Sequence, residues 1–401
     1  MGATEEGANV QAANGSRGQT WVRLCLAVAL TVSLAVVLGW FVLNPLWDSR
    51  SAPFPMPKVT PAIMAPVDGP FYVQNASQGY EWKDSDGPSL WFHPLMSVLP
   101  LALTHWLSTK AAFWAVSLLF SLVAAFVTVS VLRAYGASLT GREYLLAAIL
   151  AAPGGLGLAT GNAEIPTLVF SSALLLLVIK GRRPWLVATV ALLAILTKPN
   201  ALYMVPVLLV YLLWALRLRD RRTIWSSAAG IAGVVGGWLL WMVIVDIQAG
   251  QFGTYLSARA ATGSYSLTNI WRFFEQTAHG LLGDGGLRDG MRFGSALVVP
   301  LASIWAIGAA KFSEERHRYA AASGVAAMFG LAVLQSNPNK LLVYATTLPA
   351  HFPVHLMAIQ ALVLNHGRMT VARVTGSFLY LGYCGLMILV YVYGTPSGWY
   401  Y

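Results

Sequence analysis

Charged residues are scarce in this sequence. Only 10% of the 401 residues are Asp, Glu, Lys or Arg, whereas 57% are hydrophobic. In a soluble globular protein about a quarter of the residues are charged. The composition therefore excludes an ordinary soluble protein and predicts an all-α polytopic membrane protein.

Cysteine is nearly absent as well. Cys25 and Cys384 lie in apolar runs near opposite ends of the chain, which argues against a disulfide framework and against a Cys-based metal site. The sequence also lacks a Gly-rich phosphate loop after a strand, so nucleotide chemistry is disfavoured. We expect no cofactor and no metal. Asp84 and Asp86 do have the spacing at which two carboxylates share a divalent cation, and solvated loop acids are the alternative interpretation.

Long apolar runs are abundant. The first, residues 24–43, has the roughly 20 residues that a membrane-spanning helix needs, and it follows a polar tail, residues 1–22, that we expect to be disordered and cytoplasmic. Ten further runs give a predicted total of eleven spans: 111–132, 143–160, 164–180, 184–197, 200–217, 224–246, 293–311, 317–335, 341–364 and 374–394. Residues 23–394 thus form one predicted transmembrane domain, and residues 395–401 form a short outer tail.

Lys and Arg determine the predicted orientation. With the amino terminus in the cytoplasm, the inner segments carry the whole net charge of +10 and the outer segments are neutral. This asymmetry follows the positive-inside rule. Basicity therefore indicates topology in a bilayer, with a bacterial plasma membrane expected, and not nucleic-acid binding.

Two long outer loops hold most of the remaining polar residues. The first, residues 44–110, gathers acids, aromatics, Gly and Pro, and its segment 89–107 is apolar but interrupted by prolines. We expect that segment to lie along the outer interface as one or two short helices. The second loop, residues 248–292, has a weakly helical centre from residue 267 to 282. Tight turns at 161–164, 197–200 and 336–340 complete a predicted groove for a sugar.

Lys198 follows an unusually short span. Residues 184–197 make about 21 Å of helix, less than the roughly 30 Å of bilayer hydrocarbon. We therefore expect Lys198 at or slightly below the headgroup level, where its ammonium group can bind a lipid phosphate. A lysine that extends from a helix end to the interface is the alternative. Lys340, at the outer start of the tenth predicted span, is a second candidate for phosphate binding.

Asp68 is the candidate general base. It lies between Pro66 and Gly69-Pro70, in backbone stiff enough to hold a carboxylate in one direction near an acceptor hydroxyl. Helix capping is the alternative, because Asp is a favoured N-cap residue. His351 and His355 are four residues apart and share a helix face. Contact with substrate, metal binding and packing with other polar groups are the alternative interpretations.

The first outer loop resembles a known superfamily. Asp68-Gly-Pro-Phe-Tyr72, Gly79-Tyr80 and Leu90-Trp-Phe-His-Pro-Leu95 are similar to the Asp, Tyr, Gly-Tyr and aromatic-Pro pattern of the GT-C glycosyltransferases, which use polyprenyl-phosphate sugars. The turn Gly161-Asn162 and the run ending in Lys198-Pro199 resemble those of phosphatidylinositol-mannoside mannosyltransferases. Glu164 and Pro199-Asn200 resemble features of glycosylphosphatidylinositol mannosyltransferases. The resemblance covers residues 20–220, and the remainder is similar only in hydropathy.

The resemblance implies a GT-C-like fold with juxtamembrane helices in the first outer loop. It implies inverting transfer of a sugar, mannose or arabinose, from a polyprenyl-phosphate donor to a glycolipid or glycan acceptor on the extracytoplasmic side. Asp68 is then the general base and Lys198 a ligand of the donor phosphate. The other expected substrate contacts are Tyr72, Tyr80, Trp91, His93, Glu164, Asn200, Lys340, His351 and His355.

Two other functions stay open. A lipid-linked-oligosaccharide ligase or polymerase would favour the outer residues Arg259, Arg272 and His279 over Asp68. A lipid or sugar transporter or flippase would also gather polar residues in the membrane. Transporters, however, place their sites near the midplane and often contain internal repeats, whereas this sequence has no repeat and its charges lie at the surfaces.

Overall fold

The computed structural model describes residues 72, 75–76, 79, 93–108, 163–261, 267–282 and 312–334, with scattered positions between 112 and 136 and between 301 and 308. Within these residues every regular element is a helix. They are α1 (Leu95–Leu101), α2 (Glu164–Ile179), α3 (Pro184–Thr197), a 3₁₀ helix (Pro199–Tyr203), α4 (Met204–Leu218), α5 (Arg221–Ala249), α6 (Thr254–Ala261), α7 (Asn269–Leu282) and α8 (Glu315–Leu334). The all-α prediction is confirmed for this part of the chain. The total of eleven spans depends on residues outside it.

In the part of the chain that the structure describes, two helical stretches are long and apolar enough to cross a membrane. They are Pro199–Leu218, in which the 3₁₀ helix continues into α4, and α5. With 29 residues, α5 is about 43 Å long and exceeds the roughly 30 Å hydrocarbon thickness. α2 and α3 are apolar but shorter, with 16 and 14 residues. The length and composition of the two longer stretches support membrane association.

Local signals in the sequence set the helix ends. α2 ends at Ile179, two residues before Gly181, which has a φ of 54°. Pro184 begins α3, because the first residue of a helix needs no partner for its backbone amide. Asp220 caps α5, because its carboxylate accepts the amides of Arg222 and Thr223 at 3.1 and 3.3 Å. The cap starts α5 at residue 221, earlier than the predicted 224, and Gly250 ends the helix with a φ of 70°.

α3 and α5 pack closely through small residues. A Cβ atom on Gly233 would lie 2.6 Å from the backbone oxygen of Ala188 and 2.7 Å from Ala191 Cβ. On Gly237 it would lie 2.5 Å from a methyl carbon of Ile195. Gly236, on the same helix, has nothing within 4 Å of such an atom. Only the glycines that face α3 are therefore required by the close approach of the two backbones.

The core lies where α2, α3, α4 and α8 meet. Leu174 of α2, Val187 of α3, Leu208 of α4 and Met328 of α8 are buried together in one apolar cluster. Because lipid tails are as apolar as leucine, this packing and not hydrophobic exclusion holds membrane helices together. The cluster fixes the relative positions of the helix ends that carry the polar residues.

The described helices have two ends that differ in chemistry. The Lys198 end comprises the start of α2, residues 197–203 and the C-terminal ends of α5 and α8. The Arg182 end comprises residues 180–183, 218–222 and 312–317. There the Ser226 hydroxyl donates to the Arg182 backbone oxygen at 2.6 Å, and the Ser313 amide donates to that of Tyr135 at 2.7 Å. The described helices α2, α3, α4 and α5 therefore alternate in direction.

Candidate functional site

Lys198 lies at a break in the helical chain. Its backbone is extended, with φ −157° and ψ 136°, between the last residue of α3 and the first of the 3₁₀ helix. The break follows from Pro199, because the residue before a proline is driven out of helical conformation. The side chains of Lys198 and Asn200 are both half-buried. Two residues predicted to contact substrate therefore lie side by side at the Lys198 end.

His93, just before α1, joins three segments of the chain. Its Nδ1 donates to the backbone oxygen of Ile195, near the end of α3, and its Nε2 is 3.3 Å from the Tyr255 hydroxyl. Since a carbonyl only accepts, Nδ1 carries the proton, and in the neutral ring Nε2 accepts from Tyr255. His93 thus attaches the first loop both to α3 and to the second loop.

Aromatic rings enclose His93. The rings of Trp241 and Tyr255 lie 5.7 and 6.2 Å from its own. Asp246, near the end of α5, accepts the amides of Gly253 and Tyr255 at 2.8 and 3.3 Å. These two hydrogen bonds hold the turn that brings α6 back against His93. The histidine is therefore fixed by contacts from α3, α5 and α6.

Tyr72 connects the first loop to α2. It is buried against Met96 of α1 and against Ala163, which immediately precedes α2. Glu164 is the first residue of α2, so the start of this helix lies beside the first loop. Four parts of the chain now converge: the first loop, the start of α2, the break at Lys198 and the beginning of the second loop.

The structure separates the predicted site residues by environment. Lys198 and Asn200 are partly accessible, whereas Tyr72 and His93 are buried by other protein atoms. In this arrangement Tyr72 and His93 position the first loop. The remaining predicted residues lie outside the described part of the chain: Asp68, Tyr80, Trp91, Lys340, His351 and His355, together with Asp84 and Asp86.

α6 and the polar turn before it are not among the predicted elements. Within the second loop the sequence predicts a helix only at residues 267–282, which corresponds to α7 (Asn269–Leu282). The sequence signal for this turn is Asp246 followed by Gly250 and Gly253. Asp side chains often accept hydrogen bonds from turn amides, and glycine readily adopts the positive φ that a chain reversal needs. Gly250 and Gly253 indeed have φ values of 70° and 81°.

The Arg182 end carries a second polar cluster. The Tyr211 hydroxyl lies 2.8 Å from Nδ1 of the buried His317, and the Glu314 carboxylate lies 3.6 Å from Nε2 of that ring. The hydrogen bond from the Thr223 hydroxyl holds the pKa of Asp220 below its usual range. The same end also carries exposed arginines: Arg182, Arg183, Arg217, Arg219, Arg221 and Arg222. This cationic surface differs from the Lys198 end, where Lys198 is half-buried.

Neither end contains a recognisable metal centre in the part of the chain that the structure describes, since no three His, Cys, Asp or Glu side chains are grouped there. Comparison of the chain with protein-family models, curated proteins and solved structures found no match. The functional assignment therefore rests on the residues and geometry of the Lys198 end.

Proposed function

We propose that the chain is an integral-membrane glycosyltransferase of the GT-C type, which moves mannose or arabinose from a polyprenyl-phosphate donor to a glycolipid or glycan acceptor. The observation that carries the proposal is the convergence at the Lys198 end. The first loop, which contains Asp68, is attached through His93 to Ile195, only a few residues before Lys198. This attachment supports the proposal that Asp68 and Lys198, which are far apart in sequence, act at the same end of the protein.

Lys198 would bind the donor phosphate. α3 is about 21 Å long, so a helix that begins at one headgroup layer ends within the other half of the bilayer or at its surface. A half-buried ammonium group at that depth meets a lipid phosphate without full exposure to water. It also offsets the negative charge that grows on the phosphate as the sugar leaves.

Asp68 would remove the proton of the acceptor hydroxyl. The hydroxyl oxygen forms a bond to the anomeric carbon while the bond from that carbon to the phosphate oxygen breaks on the opposite face. The configuration therefore inverts, polyprenyl phosphate leaves with the bonding electrons, and the proton remains on Asp68 until water takes it. Asn200, Glu164, Tyr80, Trp91, Lys340, His351 and His355 are the proposed further contacts of sugar, acceptor or phosphate.

Tyr72 and His93 have a positioning role in this proposal. Tyr72 is buried against Ala163, and His93 is bonded to Ile195 and Tyr255. These contacts hold the loop on both sides of the segment 80–91. Positioning of this kind matters because displacement of a catalytic group by about 1 Å can lower a rate about a hundredfold.

The Lys198 end is proposed to face the extracytoplasmic side of a bacterial plasma membrane, with the amino terminus in the cytoplasm. The exposed arginines at the opposite end support this orientation, because short basic connections remain on the cytoplasmic side. Cysteine labelling at positions 84 and 182 tests it. Labelling of position 182 by an impermeant reagent added outside intact cells contradicts the orientation.

A transfer assay tests the proposed activity. Purified protein in nanodiscs is incubated with radiolabelled polyprenyl-phosphate mannose or arabinose and with candidate lipid acceptors. We expect Asp68→Asn to abolish transfer and Asp86→Asn, a matched change in the same loop, to preserve it. Transfer by Asp68→Asn at the wild-type rate shows that Asp68 is not the base. Failure of the wild-type protein to use either donor contradicts the whole proposal.

A further inference from the structure

The surface of α7 has three distinct faces. The buried face consists of Asn269, Phe273 and Thr277, which a helix places on one side because they are four residues apart. An exposed apolar face consists of Ile270, Trp271, Phe274 and Leu282. An exposed polar face consists of Arg272, Glu275, Gln276 and His279. At 3.6 residues per turn these faces are adjacent and do not overlap.

The buried face fixes α7 on α8 at the Lys198 end. The Asn269 side-chain amide donates to the backbone oxygen of Leu334, the last residue of α8, at 2.7 Å. The ring of Phe273 lies 5.8 Å from that of Phe329 in an edge-to-face arrangement. Because these contacts set the rotation of α7 about its axis, the apolar face is held outward.

The apolar face exposes large side chains. Trp271 is 75% exposed, Phe274 51% and Leu282 87%. α4 and α5, which belong to the two stretches able to cross a membrane, expose Leu213 and Ile247 to a similar extent, 64% and 70%. Ile247 lies close to the end of α5, at the same end of the bundle as α7. The apolar face of α7 therefore resembles, in residue type and exposure, the surfaces that the two long apolar helices present.

The polar face beside it is typical of a helix that lies at the surface of a bilayer. A helix covered by another protein needs one apolar face, whereas a helix at a bilayer surface needs an apolar face below and a polar face above. The polar face here contains Arg272, whose guanidinium matches anionic lipid phosphates, together with Glu275, Gln276 and His279. Trp271 is also the residue type that accumulates where headgroups meet acyl chains.

We propose that α7 lies in the plane of the membrane at the headgroup boundary of the leaflet next to the Lys198 end. Trp271 and Phe274 enter the upper acyl-chain region, and Arg272 contacts lipid phosphates. α8 supports the helix from its third side. This inference concerns lipid contact alone and does not depend on sugar transfer.

Depth-dependent fluorescence quenching tests the proposal on the full-length protein. In a background with Cys25→Ser and Cys384→Ser, single cysteines are introduced by Trp271→Cys, Phe274→Cys and, as the polar-face control, Gln276→Cys. Each is labelled with an environment-sensitive fluorophore, and the protein is reconstituted into phosphatidylcholine–phosphatidylglycerol vesicles. Nitroxide lipids that carry the quencher near the glycerol or near the methyl end of the chain report depth, and iodide reports water. Only variants that elute from size exclusion like the wild type are compared.

We expect labels at 271 and 274 to emit at shorter wavelength, to be quenched more by the shallow than by the deep nitroxide, and to lose iodide quenching relative to position 276. The shallow nitroxide should quench more than the deep one because such helices insert to a depth of about 5–10 Å. Iodide quenching equal to that at 276 places the face in water and overturns the proposal. Protection from every quencher means that a protein surface covers α7, and stronger quenching by the deep nitroxide means that α7 is not interfacial. Both results also overturn it.

Discussion

Replacing Gly233 by alanine should weaken the contact between α3 and α5. The added Cβ atom would lie 2.6 Å from the backbone oxygen of Ala188, whereas ordinary contact begins at 3.4 Å, so the two backbones must separate by up to about 0.8 Å. A gap of about 0.5–1 Å removes a quarter to a half of the dispersion energy of the surrounding atom pairs. Overpacking of this kind costs about 1–3 kcal/mol.

Helix propensity acts in the opposite direction. Alanine is favoured over glycine by about 1 kcal/mol in a helix interior. Because the obstructing atom at Gly233 belongs to the backbone and cannot rotate away, we take the upper half of the packing cost. Gly233→Ala should then lower the free energy of unfolding by about 1–2 kcal/mol.

Gly236 provides a matched control on the same helix. A Cβ atom there meets nothing within 4 Å, so Gly236→Ala should stabilise the protein by about 0.5–1 kcal/mol. Gly237→Ala should fall between the two, since its contacts are the side-chain methyl groups of Ile195 and Leu192. Unfolding by a denaturing detergent, followed by circular dichroism, measures the series. Equal stability of Gly233→Ala and Gly236→Ala would refute the proposed packing of α3 on α5.

Three further changes have defined outcomes. Lys198→Met should raise the KM for a polyprenyl-phosphate donor by roughly ten- to hundredfold, because a hydrogen bond to a charged group contributes about 1.5–3 kcal/mol. Lys180→Met at the Arg182 end should leave the KM unchanged. Equal effects of the two changes contradict the assignment of Lys198 as a phosphate ligand. Tyr255→Phe removes the hydroxyl that lies 3.3 Å from His93 and should lower the free energy of unfolding by about 0.5–1.5 kcal/mol, and an unchanged value shows that this hydrogen bond does not stabilise the fold. The folded-state pKa of Asp220 is lowered, so its stabilisation is present above the unfolded pKa of about 3.9 and is lost as the pH falls through the lower folded pKa. Asp220→Ala should lower the free energy of unfolding by about 1 kcal/mol at neutral pH. Thermal melting should also show that the variant loses less stability on acidification than the wild type.

Helices whose limits depend on neighbouring residues could be predicted from sequence. The predicted span 184–197 coincides with α3, because Pro184 is favoured at a helix start and Pro199 removes Lys198 from the helix. α5 was predicted too short at both ends. Its true start depends on a side-chain hydrogen bond of Asp220 to amides two and three residues ahead, which hydropathy does not detect.

Contacts between distant residues could not be predicted in the same way. Tyr72 and His93 look like sugar-binding aromatic residues in sequence, yet both are buried in the described structure. The burial of His93 results from Ile195, 102 positions along the chain, and from Tyr255, 162 positions along it. No local pattern encodes these partners, because they depend on how α3, α5 and α6 pack. The sequence did indicate which connections share one end, since hydrophobic runs alternate their direction.

The central claim is that the protein transfers sugar from a polyprenyl phosphate by means of groups at the Lys198 end. The most direct measurement is the amount of radiolabel that moves from the polyprenyl-phosphate sugar to an acceptor lipid, with purified wild-type protein and with Asp68→Asn. We predict labelled acceptor with the wild type and none with the variant. Equal labelling by both proteins, or none by the wild type with either sugar, would contradict the account.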